Sequence, residues 1–350
     1  MKHYQAALLA LCFLVSACDE KKPIENTEDV AKKTENEQMA ISVESGTSIT
    51  ENIQNKYFYF DDSDRRIERI DSYINIIIRK NGLADFSFLS NLLGVERLGL
   101  NIDPDIGNFD FYPLMSMTDL EFLTLKGNGV TSLSALENLS SLRRIKLNST
   151  NLKSLYGVES LLKLEDISIW LNQQHLSDIS SLSSLPNLEN IAFLVGSYNI
   201  DFSILKELPH LKSLTISSSG EVDLCGISQL RRLAILKLES NIAEETDIRS
   251  YYKGIEEIGK MSSLTDLFLD ESITDIGFLA NNINLERLEL RADQEREDFW
   301  EVSLPLDVSP LKNLTNLKRL AIRGFDLQNA EGLDQLPNLE FYSTARYDLE

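Results

Sequence analysis

From residue 73 onward, apolar residues recur in one spacing, L-x-x-L-x-L-x-x-N-x-L. Leu120, Leu123, Leu125, Asn128 and Val130 form one copy, and Leu142, Ile145, Leu147, Thr150 and Leu152 form the next. Copies start at Tyr73, Val95, Leu120, Leu142, Leu164, Leu188, Leu211, Leu233, Leu264, Leu285, Leu317 and Leu339. Successive starts lie 22, 25, 22, 22, 24, 23, 22, 31, 21, 32 and 22 residues apart. Within each copy the alternation has the two-residue period of a strand, whose alternate side chains share a face. The fourth and sixth positions, such as Leu123 with Leu125, Ile167 with Ile169 and Leu288 with Leu290, therefore point inward together. Twelve short strands on one basic period predict a stack, because a unit this small cannot bury its apolar face alone.

The second half of each unit repeats as well. Asp178-Ile179-Ser180-Ser181-Leu182, Asp201-Phe202-Ser203-Ile204-Leu205 and Asp307-Val308-Ser309-Pro310-Leu311 share Asp-x-Ser-x-Leu, as does Asp85–Leu89. A hinge such as Leu185-Pro186-Asn187-Leu188 or Leu336-Pro337-Asn338-Leu339 leads into the next strand. This half is too short for a crossover helix, so extended or 3₁₀ turns are expected. Together these residues resemble the 22-residue leucine-rich repeats of the internalin type, over roughly residues 73–345. The resemblance implies an α/β-type repeat solenoid. It would be a curved horseshoe with a parallel β-sheet on its concave face and short 3₁₀ or extended convex segments. Twelve parallel strands at about 4.8 Å would span roughly 55 Å. The ninth position carries Asn81, Asn128, Asn172 and Asn241, where a short polar side chain can satisfy turn backbone. Gly196 and Phe325 depart from that rule, so irregular turns are expected there.

Two units are long. Glu244–Lys260 holds Ile248, Tyr251, Tyr252, Ile255 and Ile258 at near-helical spacing, and Asp293–Ser303 is charged with Phe299 and Trp300. Such inserts form loops on one face, either for binding or as surface elaboration packing its own apolar residues.

The third, fifth and seventh positions of each copy point outward on the sheet. They yield Phe122, Arg144 and Lys146 in the early repeats and Trp170 and Leu194 in the middle. Phe268, Arg287, Arg291, Arg319 and Arg323 come from the later repeats. Aromatic and Arg side chains are favoured interface anchors, so these ten are the candidate partner-binding residues, with Phe122, Trp170 and Phe268 central. The face reads basic at both ends, and a solvated sheet with scattered aromatics is the plainer alternative.

The start of the chain has a different pattern. Lys2 precedes the apolar run Ala6–Val15, which is too short to span a bilayer as a helix. Val15-Ser16-Ala17-Cys18 resembles a bacterial lipobox. The resemblance implies a lipoprotein signal peptide over residues 1–17, cut after Ala17. It also implies a diacylglyceryl thioether on Cys18, with acyl chains of the palmitate type. An ordinary signal peptide with a chance Cys is the alternative. Asp19 resembles the signal that keeps a lipoprotein in the inner membrane of two-membrane bacteria; a solvated acidic linker start would also explain it. Residues 18–55 are rich in Glu, Lys, Asn and Thr and read as a flexible charged tether with a span of roughly 30 Å. An N-terminal cap over 56–72 opens with Tyr57–Phe60, and the solenoid is expected over 73–350.

Net charge is −21, and removing residues 1–17, with one Lys and no acid, makes it −22. So acidic a surface repels phosphate backbones and argues against nucleic acid as partner. Cys12 leaves with the signal and Cys18 would be acylated, so Cys225 stands alone and is expected to be a small packed residue. No Cys-x-x-Cys, His-Glu-x-x-His, Gly-x-Ser-x-Gly or phosphate-cradling Gly-rich loop occurs. His175 and His210 fall in repeat positions. The sequence therefore indicates a non-catalytic module with no cofactor or metal. It would be membrane-anchored in the bacterial cell envelope, facing the periplasm from the inner membrane, with a protein partner on the concave face. A host-facing surface adhesin and a glycan-binding envelope protein are the alternatives.

Overall fold

The computed structural model describes residues 65–344 apart from 71–72, 79–88, 91–93, 103–110, 128, 149–151, 171–175, 177, 196–199, 219, 241–250, 271–272 and 293–303. All described residues belong to the unit Ser42–Glu350. Cys18, Asp19, the expected signal and tether, and the insert Asp293–Ser303 lie outside them, as do the ninth-position Asn81, Asn128, Asn172 and Asn241.

Among the described residues, β1 (Arg65–Ile70) falls within the expected cap and pairs antiparallel with β2 (Tyr73–Ile78). The strands β3 (Arg97–Ile102), β4 (Phe122–Lys126), β5 (Arg144–Asn148), β6 (Asp166–Trp170), β7 (Asn190–Val195) and β8 (Ser213–Ser218) follow. After β9 (Glu221–Asp223) and β10 (Ile235–Ser240) come β11 (Tyr251–Lys253), β12 (Asp266–Asp270) and β13 (Arg287–Arg291). The chain ends with β14 (Leu304–Asp307), β15 (Arg319–Arg323), β16 (Phe325–Gln328) and β17 (Phe341–Ser343). Thirteen of these form one sheet in the order β1-β2-β3-β4-β5-β6-β7-β8-β10-β12-β13-β15-β17, parallel from β2 onward. This is a curved leucine-rich-repeat solenoid with the sheet on its concave side. The pairs β9–β11 and β14–β16 make two small parallel sheets elsewhere on the stack.

Each copy from Val95 onward opens its strand two residues after its start, in perfect register with its neighbours. The first copy is different. Tyr73 pairs with Arg97, a third-position residue, so that copy starts at residue 71 and not at Tyr73. Its inward pair is then Ile74 and Ile76, both buried, and Asn81 is not its ninth residue.

The inward rows Leu98/Leu100, Leu123/Leu125, Ile145/Leu147 and Ile167/Ile169 are at most 1% exposed and continue along the stack. Each such side chain contributes about 1.5–3 kcal/mol by leaving water. The opposite wall consists of 3₁₀ turns, such as Ser180–Ser184 and Phe202–Glu207, that drop Leu182, Phe202 and Leu205 into the core. The Asp-x-Ser signature has a physical role here. Asp178, Asp201 and Asp307 each accept the backbone N–H of the Ser two residues on, at 2.9 Å. Asp223 and Asp275 do the same for Cys225 and Gly277, at 2.8 Å. Each thus satisfies a donor that the short turn would orphan.

A row of side chains immediately before the strands ties repeat to repeat. The Nδ2 groups of Asn187, Asn284, Asn316 and Asn338 donate to the carbonyls of Leu162, Ser262, Ile283 and Thr315 in the preceding repeat, at 2.7–2.8 Å. Arg232 makes the same kind of contact with the Pro209 carbonyl. The hinge asparagines are therefore repeat-to-repeat fasteners.

One further expectation is corrected. The Glu244–Lys260 insert is not a helix where it is described: Tyr251–Lys253 is β11 and Ile255–Lys260 is a 3₁₀ turn. Val222 and Asp223 offer a ready strand edge that β11 completes. The insert packs its own apolar residues, for Tyr252 is 3% and Ile258 0% exposed. The Tyr252 hydroxyl lies 2.8 Å from the Glu239 carbonyl oxygen and 3.2 Å from that of Ile216. Phe325, which breaks the ninth-position rule, is buried and opens β16 after Gly324 at φ +80°. Gly157 marks close approach between repeats. Its φ is +107°, and a Cβ there would stand 2.5 Å from the carbonyl carbon and oxygen of Leu133.

Candidate partner-binding face

Parallel register sorts the outward side chains into three rows that cross the strands. From β3 to β17 the rows hold nine cations and five carboxylates, a net of four positive on a chain of −21. The remainder of the molecule carries the excess acid, so the face and the body have opposite charge.

The ten candidate residues all stand on this face but fall into separate groups. Phe122, Arg144 and Lys146 stand on β4 and β5. The Phe122 ring is half-buried, with the Arg97 guanidinium carbon 5.6 Å and the Lys146 Nζ 5.7 Å from its centroid. Arg144 pairs with Asp166 at 2.8 Å, and Asp166 also accepts from the Asn190 side chain. Trp170 and Leu194 are directly opposed on β6 and β7 and half-buried, a small apolar patch in the third row. The strands β8 and β10 then interpose mainly small or polar residues, including Ser213, Thr215 and Ser217.

Phe268, Arg287, Arg291, Arg319 and Arg323 occupy β12, β13 and β15. Arg287 pairs with Asp266 at 3.3 Å. Arg291 forms a close pair with Glu289, at 2.8 Å, with its guanidinium 5.2 Å above the Phe268 ring. Arg323 reaches the same Glu289 at 3.9 Å. Arg319 stacks on Phe341 at 4.9 Å. Burial pushes the Glu239 carboxyl up, against the pull of Lys237 and Arg291. Sequence reasoning passed over Asp166, Asn190 and Phe341. All three are third-position residues, so the same register identifies them.

Cys225 is exposed and not packed, which corrects the expectation for it. Asp223 beside it raises the thiol, while hydrogen bonds from Cys225, helped by Lys253, lower the Asp223 carboxyl to about 2. A thiol held protonated is a poor nucleophile. His210 is exposed in the row that carries the hinge asparagines, whereas His175 lies outside the described residues. Among the described residues, no group of three or more His, Cys, Asp or Glu side chains gathers in a way that could hold a metal ion. None of their helices is long and apolar enough to cross a membrane.

The sequence matches no protein-family model, and no curated protein matches it. Similar solved structures include an internalin from Listeria monocytogenes, with 20% identity and a TM-score of 0.47, covering 80% of this chain and 88% of that one. A second internalin of that organism has 19% identity and a TM-score of 0.41, covering 61% and 83%. A leucine-rich-repeat protein of Leptospira interrogans has 15% identity and a TM-score of 0.35, covering 77% and 88%. These are low-identity likenesses, and nothing about partner or function passes from them to this chain.

Proposed function

We propose that this chain is a non-catalytic binding module of the bacterial cell envelope. It would be held to a membrane by a lipid on Cys18 and would take up a protein partner on its concave face. The observation that carries the reading is the reversed charge of the face, which sets cations and aromatic rings in rows on a strongly acidic body. Such side chains on a rigid sheet lose little freedom on binding, and complementary charge fixes the register of the contact. Phe122, Trp170 and Phe268 are the aromatic anchors of the interface, and Asp19 supports a periplasm-facing inner-membrane location.

A photo-crosslinking amino acid at Ser168, in the middle row of the face between Lys146 and Ala192, tests the reading in cells. It should capture a protein that the same group at Ser309, on the opposite wall, does not. Alanine at all three anchors should abolish that product. Capture from Ser309 alone refutes the concave-face reading. For location, protease added to intact and to permeabilised cells is compared, with Cys18→Ser as the unanchored control. Protection until permeabilisation supports the periplasmic reading. Digestion on intact cells overturns it and favours a host-facing role.

A further inference from the structure

The two ends of the face differ in how their cations are used. At the β12–β15 end, Arg287 is paired with Asp266, and Arg291 and Arg323 share Glu289, which leaves Arg319, stacked on Phe341, as the one cation of these strands without a carboxylate partner among the described residues. At the β3–β6 end Asp166 is the one outward carboxylate, and Arg144 with Asn190 occupies it. Among the described residues Arg97, Lys126 and Lys146 have no carboxylate partner. Arg97 and Lys146 rest on the Phe122 ring instead. A ring orients a cation without cancelling its charge, whereas a carboxylate cancels it. Three unspent positive charges, two of them oriented by the ring, therefore stand on β3, β4 and β5.

The middle row beside them is low. Gly99, Thr124, Ser168 and Ala192 are its residues on β3, β4, β6 and β7, between taller first- and third-row side chains. Lys146 is the exception and leans onto Phe122. Five strands at about 4.8 Å give this trough a length of about 19 Å, which fits roughly six residues of extended chain. Past the cations, Trp170 and Leu194 offer the apolar patch on β6 and β7.

We infer that the concave face recognises an extended acidic segment of a protein. Its carboxylates would lie over Arg97, Lys126 and Lys146, and a bulky apolar residue at one end would lie against Trp170 and Leu194. This rests on the concave face being the partner's landing surface, and it identifies the chemistry of what lands. A phosphate polymer fits less well, because the chain's net charge of −21 repels a uniformly charged polymer along its whole length, whereas a short segment meets only the local field.

The test is a displayed library of 12-residue peptides panned against the full chain. Enriched peptides are then measured by fluorescence anisotropy at low and high salt. The expected binders carry Asp or Glu followed by Leu, Phe or Trp, and they weaken as salt rises. Lys126→Glu with Lys146→Glu should cost about tenfold or more in affinity, and Arg319→Glu about twofold or less. Neither lysine has a carboxylate partner, so the melting temperature should fall by no more than about 4 °C, from loss of the Lys146–Phe122 contact, and Lys126→Gln alone serves if the double variant fails to fold. Basic or neutral binders, or binders as sensitive to Arg319→Glu as to the lysine pair, overturn this inference and leave the concave-face reading standing. Binders indifferent to every concave-face substitution, or no binders at all, overturn both.

Discussion

Gly157 and Gly332 separate two costs that ordinary glycine substitutions mix. Both adopt positive φ, +107° and +81°. An alanine Cβ at Gly332 meets nothing within 4 Å, whereas at Gly157 it would lie 2.5 Å from the Leu133 carbonyl carbon and oxygen and 2.6 Å from the Ser134 nitrogen. Gly332→Ala therefore costs only the left-handed conformation, about 1–2 kcal/mol. Gly157→Ala adds a clash with backbone of the preceding repeat, which cannot swing aside as a side chain can. That adds about 1–3 kcal/mol, for a total of about 2–5. For a domain of this size class the melting temperature should fall by about 10 °C in Gly157→Ala and about 4 °C in Gly332→Ala. Guanidinium melts followed by circular dichroism supply the free energies. Because the clash lies between repeats, the Gly157 variant should also broaden or split its transition, since a stack is coupled only through neighbours. Equal losses in the two variants would refute the claim that adjacent repeats are in hard contact at this glycine.

The depressed carboxyls of Asp178, Asp223 and Asp307 predict an acid-labile stack. Their folded-state values lie below the ordinary 3.8, so the stability they lend is present above about pH 4 and lost as pH falls, through about 2 for Asp223. Asp223→Asn should shallow the acid limb of stability against pH, and an unchanged limb would assign acid unfolding elsewhere. Tyr252→Phe, which strips a buried hydroxyl from the Glu239 and Ile216 carbonyls, should cost about 1–2 kcal/mol in a denaturant melt with unchanged slope. Cys225 should react with a thiol reagent in the native protein, slowly near neutral pH, and faster in Asp223→Asn. Modification only after unfolding would contradict its exposure.

The solenoid was legible because one requirement repeats: two inward apolar residues per strand and a turn short enough to return the chain. The first start was misplaced because residue 71 is Asp, so the apolar pattern locks onto Tyr73. The near-helical spacing around residues 251–258 misled because propensity reports one segment, while the free edge at β9 that captured Tyr251–Lys253 is a tertiary fact. The three outward rows were readable from register. Their electrostatics were not, because Arg144, Arg287 and Arg291 look alike as sequence, and only the neighbouring strand shows which carboxylate each one meets. Cys225 was misjudged because its position in the Asp-x-Ser turn faces solvent, whatever residue fills it.

The reversed charge of the concave face has a kinetic consequence. An acidic partner approaching from afar meets the whole molecule's charge of −21 and is repelled, and only within a few ångströms does it feel the cations of β3–β5. Salt screens distant charges first, with a Debye length of about 10 Å at 0.1 M. Adding a little salt should therefore speed association by lifting the long-range barrier, while more should slow it by weakening the contact. The association rate should pass through a maximum with ionic strength, in contrast to the steady decline of a complex whose net charges attract.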